Sequence, residues 1–191
     1  MPFNFRNLDV PDVLLIEPVS FGDDRGFFME LYKRSDFSSH CIDQEFAQDN
    51  LSRSRKGVLR GLHYQDPPKT QAKLVKAIRG EIIDIAVDLR RGSPTFGRHV
   101  LATLSDENSR MLFVPEGFAH GFLVLSEVAD VLYKVTAEYA PELDRGITWD
   151  DPELGLDLPL GDPILSDKDR ALPKLADVDV PFAYELKRAG R

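Results

Sequence analysis

The stretch Ile83-Asp84-Ile85-Ala86-Val87-Asp88-Leu89 puts an aliphatic residue at every second position, with Asp84, Ala86 and Asp88 between them. Side chains of an extended strand alternate between two faces, so this period of two predicts a half-buried strand with an apolar inner face. The same alternation runs through Val131, Tyr133, Val135, Ala137 and Tyr139, with Leu132, Lys134, Thr136 and Glu138 on the other side. Outward from these two, short segments rich in Val, Ile, Leu and Phe read as strands at 13–17, 27–32, 45–48, 58–64, 73–78, 110–114 and 118–125. About nine or ten short strands at close intervals are the pattern of an all-β sandwich or barrel. The 13 Gly and 13 Pro that punctuate the chain agree with it. Short helices are expected within 36–46 and 166–172, the second because Ser166 with Asp169 three residues on has the spacing of an N-cap. From Pro141 onward Pro152, Pro159, Pro163 and Pro173 break regular elements, and with no linker or repeat the expectation is one domain over 1–191.

With 191 residues, 42% of them hydrophobic and 29% charged, the chain is apolar enough to bury a core and too apolar for intrinsic disorder. Its 24 Lys and Arg against 32 Asp and Glu give a net charge of −8, a field that repels polyanions and argues against a nucleic-acid partner. The one cysteine, Cys41, excludes an intrachain disulfide framework and a cysteine-based zinc site, and fits a reducing compartment. The N-terminal MPFNFRNLDV lacks the pattern of a secretory signal, and the apolar runs are too short to span a bilayer. A cytoplasmic protein with no membrane partner is expected.

Two of the four histidines sit among glycines in strand-like segments, Arg60-Gly61-Leu62-His63-Tyr64 and Pro115-Glu116-Gly117-Phe118-Ala119-His120-Gly121. A barrel strand points alternate side chains inward, so a histidine there either meets a ligand or is a core residue satisfied by a backbone carbonyl. The second segment, Pro115-x-Gly-x-x-His120, resembles the second motif of the cupin superfamily. The first cupin motif needs two histidines one residue apart, and here that place reads His63-Tyr64-Gln65. A metal-binding set is therefore incomplete, and a metal-free cupin is expected.

The resemblance tightens to one family along nearly the whole chain. The segments that carry it are Asp24-Arg-Gly-Phe-Phe-Met-Glu30, Gln48-Asp-Asn50, Gly57-Val-Leu-Arg-Gly-Leu-His-Tyr-Gln65, Lys73-Leu-Val, Gly80-Glu-Ile-Ile-Asp-Ile-Ala-Val-Asp88, Val114-Pro-Glu-Gly-Phe-Ala-His-Gly-Phe122, Tyr133-Lys134, Trp149-Asp-Asp-Pro152 and Ser166-Asp-Lys-Asp169. Together they resemble the dTDP-4-dehydrorhamnose 3,5-epimerases. The resemblance implies a jelly-roll, cupin-like homodimer that inverts C3 and C5 of a nucleotide-linked 4-keto-6-deoxy sugar through an enolate, without cofactor. His63 matches the base, Asp169 the carboxylate that orients it, Tyr133 the acid on the opposite face and Lys73 the group that steadies the enolate oxygen. For the nucleotide the resemblance points to Arg25, Glu30, Gln48, Asn50, Arg60, His120, Tyr139 and Lys168. Arg25 and Glu30 are implied to reach the partner's site, and Tyr139 to stack on the base. At Asp144, a ligand contact in this family, the typical residue is Glu.

Simpler readings stand beside these: a helix cap for Asp169, core aromatics for Tyr133 and Tyr139, a surface lysine for Lys73, and a surface turn with a salt bridge at Asp24-Arg25-Gly26. Strand parity puts Tyr133 and Tyr139 on one side and Lys76 opposite Lys73. Arg60 and His63, three apart, share a face only if Gly61 carries a bulge. The alternatives to double epimerisation are a mono-epimerase of a related 4-keto sugar, a metal-dependent cupin and a non-catalytic sugar-binding barrel.

Overall fold

The computed structural model describes residues 2–159 and 161–184. Along the chain run β1 (Phe3–Asn7), β2 (Leu14–Pro18), β3 (Ser20–Asp23) and β4 (Gly26–Met29), helix α1 (Arg34–Ser38), then β5 (Gln48–Arg55), β6 (Leu59–Gln65), β7 (Lys73–Arg79) and β8 (Glu81–Asp88). They are followed by β9 (His99–Ser105), β10 (Met111–Val114), β11 (Phe118–Val124), β12 (Val128–Val135), β13 (Asp144–Gly146) and helix α2 (Asp167–Arg170). One sheet has the order β1-β2-β10-β7-β12-β5, a second β13-β6-β11-β8-β9, and β3-β4 is a separate hairpin. All of these neighbours pair antiparallel, and the non-sequential order makes a jelly-roll of the cupin-like, all-β class.

The two sheets close over an interior to which each gives every second residue. Val75 and Ala77 of β7 and Ala129 and Val131 of β12 meet Ile82 and Ala86 of β8 and Phe118 and Phe122 of β11. A second cluster covers the outer face of the five-stranded sheet, where Ile83, Ile85, Val87 and Leu89 pack under Ile147, Leu154, Leu175 and Phe182 of the C-terminal segment. A third lies outside the six-stranded sheet, around Phe37 of α1.

These layers correct the reading of β8. Its aliphatic residues were expected to face the main core; they face the C-terminal segment instead, and Asp84 and Asp88 point inward, both fully buried. Asp88 is satisfied there by Arg90, Ser93 and Thr95. The strand expected at 45–48 belongs to β5, which begins only at Gln48 and runs on to Arg55. That expected over 131–139 stops at Val135, because the backbone of Thr136 turns to Ala72. The strand expected at 27–32 ends at Met29, and the helix expected within 36–46 is α1, ending at Ser38. β1, β3, β9 and β13 were not anticipated.

Candidate active site

The cleft begins with a misfit between β6 and β11. His120 pairs with His63 and Phe122 with Arg60, so two residues of β6 lie opposite one of β11. Gly61 absorbs the extra residue at φ +126°, and a Cβ there would sit 2.6 Å from the Cα of Gly121. Gly121 is as confined, since its own Cβ would lie 2.5 Å from the Arg60 carbonyl oxygen. This bulge turns both Arg60 and His63 inward, while Leu59, Leu62 and Tyr64 pack outward.

Two connecting lobes of about 240 and 320 Å³ share His63, Lys73, Tyr133 and Asp144. His63 stands on the five-stranded sheet, and Lys73 and Tyr133 face it from β7 and β12 of the other. His63 Nε2 lies 2.6 Å from Asp169 Oδ1. A carboxylate only accepts, so Nε2 carries the hydrogen and Nδ1 is left with its lone pair. Asp169 also serves its helix: its backbone N–H donates to Ser166 Oγ at 3.1 Å, capping α2 while the side chain holds His63. Ser166 is thus the cap, and the residue it holds, Asp169, is the histidine's partner. Burial pushes the Asp169 carboxyl up, but the hydrogen bonds from His63 and Ser166 and the nearby charge of Lys168 outweigh it, leaving it below the usual carboxylate value.

Lys73 is almost fully buried, and burial lowers its ammonium to about 8 against the pull of Asp144 and Asp84. Burial raises the Tyr133 phenol, only partly opposed by Arg60, so it stays protonated at neutral pH. Lys76 points out of the cleft and donates to the Ser109 carbonyl at 2.7 Å.

On the other side of Tyr133, Gln48 Nε2 donates to Asn50 Oδ1 at 2.7 Å, and Gln48 Oε1 accepts from the Tyr139 backbone at 2.9 Å. Asp144 Oδ2 accepts from the Tyr139 hydroxyl at 2.9 Å and from Lys168 Nζ, drawing the tyrosine and α2 together. Arg60 Nε donates to Ser54 Oγ at 3.0 Å, and His120 Nε2 to Asp84 Oδ1 at 2.9 Å. The cleft therefore gathers His63, Asp169, Tyr133, Lys73, Gln48, Asn50, Arg60, His120, Tyr139, Asp144 and Lys168. It does not gather Arg25 and Glu30 of the same chain. Arg25 is in an exposed turn, paired with Asp23, and Glu30 follows the hairpin.

Three contributors escaped the sequence reading. Gln65 binds the backbone of Lys69, Glu138 and Ala140, and Gln71 that of Ala137. Together they place Tyr139, which stands beyond the end of β12 and reaches the cleft by these anchors rather than by strand parity. The third is Asp84, read as the exposed side of its strand. An inward-facing Gln in His63-Tyr64-Gln65 was the one available signal.

Among the described residues no group of three or more His, Cys, Asp or Glu is arranged to hold a metal ion. Fold and cleft together define a cupin-like barrel with a cleft of ionisable side chains between its sheets. Residues 7–177 match the family model described as dTDP-4-dehydrorhamnose 3,5-epimerase. The dTDP-4-dehydrorhamnose 3,5-epimerase of Pseudomonas aeruginosa is 58% identical over 90% of this chain and 96% of its own. A Legionella pneumophila dTDP-6-deoxy-D-glucose-3,5-epimerase, solved with dTDP-4-keto-L-rhamnose, superposes with a TM-score of 0.93 at 47% identity, covering 96% of this chain and 100% of that one. A 3'-monoepimerase from Streptomyces bikiniensis, solved with dTDP-quinovose, is similar at 34% identity and a TM-score of 0.83, covering 90% and 87%. The chain belongs to the dTDP-4-dehydrorhamnose 3,5-epimerase family and is an isomerase.

Proposed function

We propose that the chain converts dTDP-4-dehydro-6-deoxy-D-glucose into dTDP-4-dehydro-L-rhamnose by inverting C3 and C5. Both carbons flank the C4 ketone, so a proton lost from either leaves an enolate, and a proton returned to the opposite face inverts the centre. His63 Nδ1 takes the proton, and Asp169 keeps the ring in register and supports the imidazolium. Lys73 meets the enolate oxygen as an ammonium. Tyr133 returns a proton from the facing sheet, and water restores both groups to their starting states. The observation that carries this reading is that a histidine with a carboxylate partner and a protonated phenol face one cavity from opposite sheets, beside a buried lysine. Arg60, His120 and Lys168 are suited to the diphosphate, Gln48 and Asn50 to polar edges of the ligand, and Tyr139, tethered by Asp144, to stacking on the base. No cofactor enters this chemistry, and activity should survive exhaustive chelation.

Incubation with dTDP-4-keto-6-deoxyglucose in heavy water tests it. Deuterium at C3 and C5 with inversion at both is expected; deuterium and inversion at one carbon marks a mono-epimerase, and none at either overturns the reading.

A homodimer with composite sites is part of the proposal. Phe27 and Phe28 of the hairpin are 70% and 66% exposed, and Glu30 keeps a buried oxygen without a partner among the described residues. A second copy receiving this hairpin would bury both and gain Arg25. Mixing the inactive variants Arg25→Ala and His63→Ala should then restore about a quarter of wild-type activity, since half the dimers are mixed and each carries one intact site. No recovery would break the composite site. The reading places the enzyme in the cytoplasm; among the described residues no helix is long and apolar enough to cross a membrane.

A further inference from the structure

Asp84 is a fully buried carboxylate in the interior of the barrel. It sits on β8 between Ile82 and Ala86, opposite Phe122 on β11, with none of its surface exposed. Its Oδ1 holds His120 Nε2 at 2.9 Å, while Oδ2 is buried without a hydrogen-bond partner among the described residues. An unpaired carboxylate oxygen in such a place costs stability, and an aliphatic side chain of similar size would pack there without the cost. Asp84 lies behind the cleft and is absent from its lining. It has no direct role in binding, and its influence has to pass through its neighbours.

Two of those neighbours line the cleft. His120 is fixed by Oδ1 so that Nε2 is committed and Nδ1 is free for a ligand. Lys73, on the facing sheet, has no ion-pair partner of its own among the described residues. We propose that Asp84 is a positioning residue for the epimerase reaction, one oxygen setting the ring of His120 and its charge facing Lys73 so that the enolate-stabilising ammonium persists in a dry site. This rests on the epimerase reading and names a group that reading does not use.

The other groups facing Lys73 are Asp144 from β13, Tyr133 from β12, and His63 and Arg60 from β6, with Asp169 and Lys168 on α2. Of the carboxylates, Asp144 pulls the lysine upward more than Asp84 does, and both act against burial. Burial in turn raises Asp84, with His120 and Lys73 drawing it back. Loss of Asp84 should therefore lower the lysine further, leaving Asp144 as its one strong anionic neighbour.

The near-isosteric Asp84→Asn separates charge from shape. Its carbonyl oxygen still accepts from His120 Nε2–H, so the fold and the ring position should be kept. Expected are a fall in kcat/KM of about 10–100-fold, the worth of a hydrogen bond to a charged group, and an alkaline limb moved down by about one pH unit from its wild-type position. Two readouts do not depend on the substrate: the pH at which Lys73 is half-labelled by acetic anhydride should fall in parallel, and the slowly exchanging His120 imidazole N–H resonance should move upfield. In Asp84→Ala that resonance should be lost. An unchanged Lys73 midpoint together with an unmoved imidazole resonance in Asp84→Asn would overturn the proposal, whatever the activity. If both move but wild type exchanges no deuterium into the sugar, the epimerase reading fails and the charge coupling stands.

Discussion

Two histidine–carboxylate pairs face the same cleft from opposite kinds of support. His63 meets Asp169 at 2.6 Å at the rim, and the imidazole is about one-third exposed. His120 meets Asp84 at 2.9 Å against the wall, where neither side chain has appreciable exposure. The rim carboxylate comes from a four-residue helix in an otherwise irregular segment; the wall carboxylate comes from the strand next to its histidine. Hydrogen bonds outweigh burial at the rim and lower Asp169, whereas burial wins at the wall and raises Asp84. At the rim a partly open imidazole stands on a buried but well hydrogen-bonded, low-lying carboxylate, whereas at the wall both partners are buried and the carboxylate is costly.

The largest expected effect falls on the rim. His63→Ala should abolish deuterium uptake at both carbons, and Asp169→Asn should lower kcat by about 10²–10⁴ with KM little changed, because the misoriented ring still leaves the binding groups intact. Uptake at the wild-type rate in His63→Ala would remove the rim pair from the chemistry. Next comes the opposite sheet. Tyr133→Phe should reduce inversion by about 10²–10⁴ while exchange falls less, since the base still abstracts and returns protons on its own face. NMR in heavy water reads the ratio of the two rates, and an unchanged ratio would make Tyr133 a packing residue.

A smaller effect separates the pairs by the sign of their pH dependence. Asp169 titrates lower in the fold than in the unfolded chain, so its contribution is present above the unfolded value, near 3.9, and is lost as pH falls through the folded value. Asp84 titrates higher in the fold, so it destabilises at neutral pH and the penalty lifts as pH falls toward its raised value. Thermal melts from pH 3 to 7 should therefore show Asp169→Asn less stable than wild type at neutrality, with the gap closing in acid. Asp84→Asn should equal or exceed wild type at neutrality and lose that advantage in acid. Parallel curves would erase the contrast. The least is Ser166→Ala, which removes the cap of α2 and should cost about 1 kcal/mol. Its kcat should fall with Asp169 alignment, while the imidazole resonance of His120 stays in place.

Strands were legible where their inner faces are apolar: β7, β10, β11 and the part of β12 from Val131 to Val135 follow the alternation of Val, Leu and Phe. Of β5 only the first residue was anticipated, because its inner face, Gln48, Asn50, Ser52 and Ser54, is polar and carries no hydrophobic period. On β8 the period was right and the side was wrong. Both faces are buried, and a period of two gives no sign of which apolar face meets the other sheet and which is covered later by the chain's own C-terminal segment. Family likeness brought His63, Tyr133, Lys73 and Asp169 into view; residue pattern alone left each with an equal or better packing explanation. Asp84 lies in a segment that carries the likeness, but no role came with it, and the same inversion hid it.

The segment that roofs the outer face of the five-stranded sheet also delivers Asp169, 106 residues after the histidine it serves. During synthesis at about 5–20 residues per second, the strand bearing His63 leaves the ribosome roughly 5–20 s before its carboxylate. Throughout that interval the nascent barrel has its imidazole but no partner to hold the ring, and the aliphatic side of β8 is bare. The partner of the imidazole therefore arrives together with the covering of that sticky surface, and a chain stalled or clipped before α2 lacks both and lies open to proteases and chaperones.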